Sequence, residues 1–321
     1  VEQIGVRSKM SAESSDRISG PQAMLHDGRP SAEAIAMLRA DPRLVEAARQ
    51  ACTGLLALYQ GNRLLNTLVN DRGRLIMGFL AMYLHYSRDP DDPLSGFTAS
   101  RLKQICVEQT ICSAGRAEAM LVLMRLFGHV EPAPETGDRR LRLLQATEHL
   151  LSSFRQRWEV TLNAMSAILP EGRQATAVLH DDAFTRAFVR NAWNQFATGF
   201  RLVNFVPETA LFADRNSGFM IMFSLLCAGG SADSFPPGKP VTISISALSR
   251  RFGVSRVHVR KLLRDAEDQK LIARDAGSED RFVLLPRLRD AGLNFFCVMF
   301  LFVAQCARDA LRDVGALQQA S

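Results

Sequence analysis

The chain has 321 residues, 47% of them apolar, and 39 Lys and Arg against 33 Asp and Glu give a formal charge of +6. That length can bury a large core, either as two core-forming units or as one duplicated plan, and so mild a positive charge permits a polyanionic partner without requiring one. A disulfide-stapled domain is excluded. The six cysteines (Cys52, Cys106, Cys112, Cys227, Cys297, Cys306) lie in apolar, helix-like surroundings with no C-x-x-C pair and no histidine at ligand spacing. They read as buried thiols of a reducing, cytoplasmic setting.

Residues 1–30 are polar and aperiodic and read as an arm without fixed structure. From Ser31 onward, apolar residues recur three and four apart through 44–69, 74–86, 101–109, 113–127 and 141–169, which predicts helices. Turn chemistry breaks the pattern at 87–96, 132–138, 169–172 and 228–240. Asp181 and Asp182 open a further helix, where negative charge complements the dipole. Residues 245–251 read as a short helix, Phe252-Gly253-Val254 as a tight turn, and Ser255 as the N-cap of a helix to about Gln269. Strand, loop and strand follow in "KLIARDAGSEDRFVLL". The apolar run 293–307 is interrupted by Asn294 and Gln305 and is too short to span a bilayer. It predicts a buried interface helix, through which a further homodimer would form, and no membrane partner. The first residues lack the apolar core of a secretory signal.

The second half echoes the first. "NDRGRLIMGFLAMYL" from 70 is matched by "ADRNSGFMIMFSLLC" from 213, with their Asp-Arg pairs 143 residues apart. Aligning Ser113 with Ser255, 142 apart, also brings Asp138-Arg139 onto Asp280-Arg281. Two landmarks agreeing on nearly one offset point to a duplication, with an arm at 1–30, a first unit at 31–170 and a second at 171–321.

Within the second unit, positions 250–264 carry six Arg and Lys and no acid. Val259, Leu262, Leu263 and Ala266 form one helical stripe, while Arg256, His258, Arg260 and Lys261 fall mostly outside it. The apolar set would lock two helices at a fixed angle and leave the basic set on a face suited to a DNA major groove. Arg274 and Arg281, in the strands that follow, are placed to reach phosphate or the minor groove. No catalytic chemistry competes. The six histidines are scattered, "DPDDP" at 89–93 reads as a solvated loop, and no phosphate-cradling glycine motif or nucleophile elbow occurs. No enzyme activity, cofactor or metal is expected.

At these residues the sequence resembles the winged helix-turn-helix transcription regulators of the multiple-antibiotic-resistance-regulator (MarR) type. The likeness is carried by "ALSRRFGVSRVHVRKLLRDAEDQKLI" followed by "EDRFVLL", and in the first half by "RLKQICVEQTICSAGRAEAMLVLMRLFGHVEP" followed by "GDRRLRLLQATEHLLSSF". It covers about 70–150 and 214–306. The resemblance implies a mainly α protein with small β wings, whose two tandem winged helix-turn-helix units form a pseudo-dimer held by long helices. Its partner would be double-stranded DNA and its role transcription regulation, with Ser255, Arg256, His258, Arg260 and Lys261 in the major groove and the wings held by Arg274, Arg281, Arg139 and Arg140. The first unit would read through Ser113 and Arg116. It departs from the pattern, because Thr110-Ile111-Cys112 replaces the glycine turn and Glu118 opposes phosphate. The family also implies a small aromatic effector, for which the ring-bearing positions are Tyr59, Tyr83, Trp158 and Trp193. Two other readings fit tandem winged helices: a plasmid-type replication initiator, and a protein-interaction scaffold that binds no DNA.

Overall fold

Ser31 starts the helical part of the chain as a helix cap does, its hydroxyl oxygen accepting the Ala34 N–H at 3.1 Å. The computed structural model describes residues 25–26, 29–59, 72–89, 92, 95–134, 142–230, 233–275, 277–278 and 280–320, with backbone only at 25–26 and 316–320. Among these residues the protein is mainly helical, with 14 α-helices and small two- and three-stranded antiparallel sheets.

In the first half, β1 (Leu25–His26) pairs with β2 (Arg29–Pro30), and α1 (Ala32–Ala40) and α2 (Leu44–Leu58) follow. Next come α3 (Arg72–Tyr86), α4 (Ala99–Glu108), α5 (Ala114–Leu126), the hairpin β3 (Val130–Pro132) and β4 (Leu144–Ala146), and α6 (Glu148–Met165). The second half begins with α7 (Pro170–Val178) and α8 (Asp182–Ala197), and continues through the short α9 (Leu202–Phe205) and α10 (Ala210–Ala213) to α11 (Gly218–Leu226). It ends with β5 (Val241–Thr242), α12 (Ile245–Phe252), α13 (Arg256–Asp268), β6 (Ile272–Arg274), β7 (Arg281–Leu284) and α14 (Pro286–Ala320).

The halves resemble each other in part of their succession of elements, although the short α9 and α10 of the second have no described counterpart in the first. α1 and α7 are both nine residues long and α5 and α13 both 13, and each of the latter two is followed by a hairpin and a long helix. Even a third strand is shared in reduced form: Val241 of β5 pairs with Phe282, and in the first half the single bridge from Phe97 to Leu144 takes that place. The halves also interlock. α2 packs on α6 of its own half and on α11 of the other, and α8 packs on α14 of its own half and on α3 of the first. Two large cores result: one runs from Ala34 to Ala310, and the other lies under α3–α6 and takes in Val189 and Trp193 from α8. Burying each large side chain contributes roughly 1.5–3 kcal/mol, so neither half is complete without the other.

Three expectations are corrected. Residues 144–146 are a strand, because Leu144 and Ala146 pair with Pro132 and Val130, and the helix expected from 141 begins only at Glu148, capped by Thr147. Positions 25–26 and 29–30, expected to lie in an unstructured arm, form a small antiparallel pair, and Pro30 is buried. The apolar run 293–307 sits inside a 35-residue helix, long and apolar enough by length and composition to cross a bilayer. In this fold 72% of its most apolar window is buried. Of residues 293–307 only Asn294, Met299, Phe302 and Gln305 escape full burial. An ion pair fastens this helix to α7: Arg308 donates to Glu171 Oε1 through Nε and Nη2, at 3.0 and 2.7 Å.

Candidate nucleic-acid interface

α12 and α13 are joined at a turn that needs glycine. Gly253 has φ +67°, the left-handed region that costs a residue with a Cβ about 1–2 kcal/mol. Ser255 then caps α13, its Oγ accepting the His258 N–H at 3.1 Å. Leu248, Phe252, Val259, Leu262, Leu263 and Ala266 are buried beneath the pair. Three contacts fasten it to the turn before α11: Arg215 pairs with Asp265 at 2.7 Å, Ser217 Oγ donates to Phe252 O at 3.4 Å, and the His258 ring lies 2.9 Å from Asn216 O.

What remains outside is basic. Arg256, Arg260, Lys261 and Arg264 are exposed and have no ion-pair or hydrogen-bond partner among the described residues. The 256-260-264 spacing sets three guanidinium groups in one row down the helix, since residues four apart stack on one face. Val257, 71% exposed, sits beside that row and adds an apolar contact. Between α13, the hairpin and the start of α12 lies a groove of about 370 Å³, lined by Arg260, Arg264, Arg274, Ser244, Ser246 and one acid, Asp280. Arg264 was not singled out from the sequence, although its place one turn after Arg260 is legible there.

The other expected contacts are placed less freely. The His258 ring is engaged with backbone, and the Ser255 hydroxyl oxygen serves as the cap. Arg274 pairs with Glu267 at 3.3 Å and lies over the Phe282 ring, and Arg281 pairs with Asp275 at 3.4 Å. In the first half Ser113 caps α5, accepting the Arg116 N–H at 3.3 Å. Around it Lys103 is tied to Glu118 at 2.6 Å, and Val122 and Leu126 are 55% and 73% exposed. Arg139 and Arg140 lie outside the described residues.

A cleft of about 720 Å³ separates the starts of α5 and α13. Arg116 and His258, 142 positions apart, both line it, with Arg72, Arg201 and Arg215 around them. Arg72 pairs with Asp214 at 3.2 Å, so the repeated Asp-Arg motif meets itself across this cleft. Sequence reasoning missed this juxtaposition, which only folding creates. Burial, and then the nearby Arg72, lower the pKa of Arg201, whose guanidinium rests over the Phe196 ring.

Three of the four aromatic positions, Tyr83, Trp158 and Trp193, meet around Phe79, and the fourth does not. Tyr83 stacks on Trp193 at 5.1 Å, and Trp158 packs edge-on against Phe188 and Phe79. Tyr59 lies apart, 1% exposed, its hydroxyl accepting from Arg157 at 3.0 Å and its ring against Phe252. None of the four lines the cleft or the groove.

Comparison with family models, with curated proteins and with solved structures finds no match, so the reading of this surface rests on its own residues.

Proposed function

We propose that the chain is a DNA-binding transcription regulator acting in the cytoplasm, with two winged helix-turn-helix units side by side in one polypeptide. The observation that carries this reading is the row Arg256, Arg260 and Arg264 with Lys261, exposed and unneutralised on a helix whose opposite face is fully buried. A solvated helix gains nothing from four like charges within nine residues, whereas a polyphosphate gains counterion release from each. α13 enters the major groove, with Arg256 at its start able to grip a guanine edge. Arg260 and Arg264 lean toward the groove beside the α12 N-terminus and hold backbone phosphate, joined by Ser244 and Ser246. β6 and β7 form the wing, and Arg281 there holds phosphate once DNA competes with Asp275.

A specific observation favours a second role for the first unit. α4 and α5 expose Val107, Val122 and Leu126 and offer little unpaired positive charge, a surface suited to a protein partner rather than to phosphate.

Fluorescence anisotropy against fragmented genomic DNA and a random duplex, titrated with salt, tests the proposal. Binding that weakens steeply with salt supports it, as does Arg256→Ala relaxing sequence preference at a cost of about 1–3 kcal/mol while Arg281→Ala weakens all duplexes alike. Absent or salt-insensitive binding overturns it in favour of the scaffold. Preference for iterated origin repeats over promoter fragments would make the protein a replication initiator.

A further inference from the structure

Away from the basic face, two thiols from different halves of the chain meet. Cys52, in the middle of α2, is 0% exposed, and its Sγ donates to Phe223 O at 3.5 Å, the carbonyl that also accepts the Cys227 N–H at 2.9 Å. Cys52 Sγ and Cys227 N–H thus share one carbonyl, and Oγ1 of Thr53, the residue after Cys52, lies 3.8 Å from Cys227 Sγ. Cys227 is half-buried and opens on a cavity of about 120 Å³ lined by Arg49, Thr53, Gly229, Ser234 and Phe235. That volume admits a few water-sized molecules.

The two sulfurs are not equivalent. Burial pushes the Cys52 thiol far up, so it keeps its proton. The neighbouring Cys52 thiol, opposed by burial and helped by Thr53 and the Arg49 and Arg251 guanidinium groups, draws Cys227 below the usual thiol value. Cys297 is pushed up to about 12 by burial and Cys306 higher still. Cys106 is also pushed up to about 12 by burial, beside Cys112, whose Sγ contacts Met77 Sδ at 3.7 Å.

We propose that Cys227 and Cys52 form an oxidisable dithiol, in which a small hydroperoxide entering the Arg49 cavity oxidises Cys227 and Cys52 resolves it to an intramolecular disulfide. The Cys227 thiolate attacks one peroxide oxygen, the O–O bond breaks, and the leaving oxygen takes a proton and departs as water or alcohol. Cys52 sulfur then displaces hydroxide from the Cys227 sulfenic acid. The S–S bond forms as the S–O bond breaks, and the Cys52 proton leaves with the hydroxide as a second water. Two thiols are oxidised and one peroxide is reduced. The cross-link would join α2 to the end of α11, close to Leu56 O, the acceptor of Arg251 from α12 at 3.0 Å. The proposal stands whether or not the protein binds DNA.

The test uses the full chain, reduced and then exposed to one equivalent of hydrogen peroxide, quenched with N-ethylmaleimide and mapped by peptide mass spectrometry. The expected result is a fall from six alkylatable thiols to four and a Cys52–Cys227 linked peptide. Cys227→Ser should abolish the fast phase. Cys52→Ser should stop at a sulfenic acid on Cys227 that dimedone traps, and Arg49→Gln should slow the reaction several-fold. Oxidation of Cys227 in the native protein should also run about tenfold faster than in urea, where its neighbours are gone. Linkage of another pair, a disulfide between chains, or a native rate no faster than the unfolded one would overturn the proposal.

Discussion

The helix pairs α4–α5 and α12–α13 stand on the same frame and present opposite surfaces. Both second helices are 13 residues long and start at a serine cap, and both rest on a buried stripe: Ala117, Met120, Leu121 and Met124 in one, Val259, Leu262, Leu263 and Ala266 in the other. The joints differ. Gly253 takes the left-handed backbone of the second turn, and in the first Thr110 is held at φ +51°. The exposed sides differ further, with an unpaired basic row on α13 and Val122, Leu126 and a neutralised Glu118 on α5. Packing constrains the inner face of such a pair closely, whereas the outer face is set by whatever it meets, so two equal frames can serve unequal partners.

The largest expected effect sharpens that contrast directly. Replacing Arg256, Arg260 and Lys261 together with alanine should lower DNA affinity at least about a hundredfold and reduce the salt slope by about 3, near 0.9 for each phosphate no longer neutralised. Arg116→Ala with Arg125→Ala, on α5, should change it about threefold or less if that unit meets protein. Equal reductions from both would dissolve the contrast.

Next in size is the frame beneath α12–α13. Phe252 is 0% exposed, and Phe252→Ala should cost about 3–5 kcal/mol, read from denaturant midpoints.

A pH dependence should distinguish the halves as well. His129, at the start of the first hairpin, is 0% exposed and stacks on the His149 ring at 4.4 Å, with no hydrogen bond to either ring nitrogen. Burial, and then His149, push its pKa down from 6.5 to about 4. The unfolded chain therefore binds more protons between those values, so the stabilisation is complete above pH 6.5 and is lost as the pH falls toward 4. The loss is at most about 3 kcal/mol, at 1.36 kcal/mol for each pKa unit. Thermal melts across this range should steepen for the native chain and flatten for His129→Leu; an unchanged slope in that variant removes the assignment.

The smallest pair concerns the joints. Gly253→Ala should destabilise by about 1 kcal/mol, and Thr110→Gly should be neutral or gain up to about 1 kcal/mol, because only the former forces a Cβ into the left-handed region. Loss of stability in both would mean that the Thr110 side chain, which donates to Gln109 O at 2.8 Å, matters more than its backbone.

Much of the fold is legible in the sequence. The helices from 245 to 269 appear where the pattern of apolar residues, Gly253 and Ser255 places them, because caps and left-handed turns are local devices that few residue types supply. The 142-residue spacing read from the sequence separates the two cap serines, Ser113 and Ser255, and also Arg116 and His258, which line one cleft. The segment 144–146 reads as helix in the sequence because Leu144 and Ala146 suit either period, and only pairing with β3 selects the strand.

The amino-acid sequence by itself determined that the protein is mainly helical and that one basic helix keeps its charges off its apolar stripe. These follow from interactions within a few residues or from periodicity along one element. Tertiary structure alone decided that α2 and α8 cross into the opposite halves, that the two Asp-Arg motifs meet over one cleft, that Arg274 and Arg281 face acids, and that Cys52 lies against Cys227. Each is a meeting of positions far apart in the chain or across a turn, set by how whole helices pack, and no local pattern encodes which distant side chain a residue will meet.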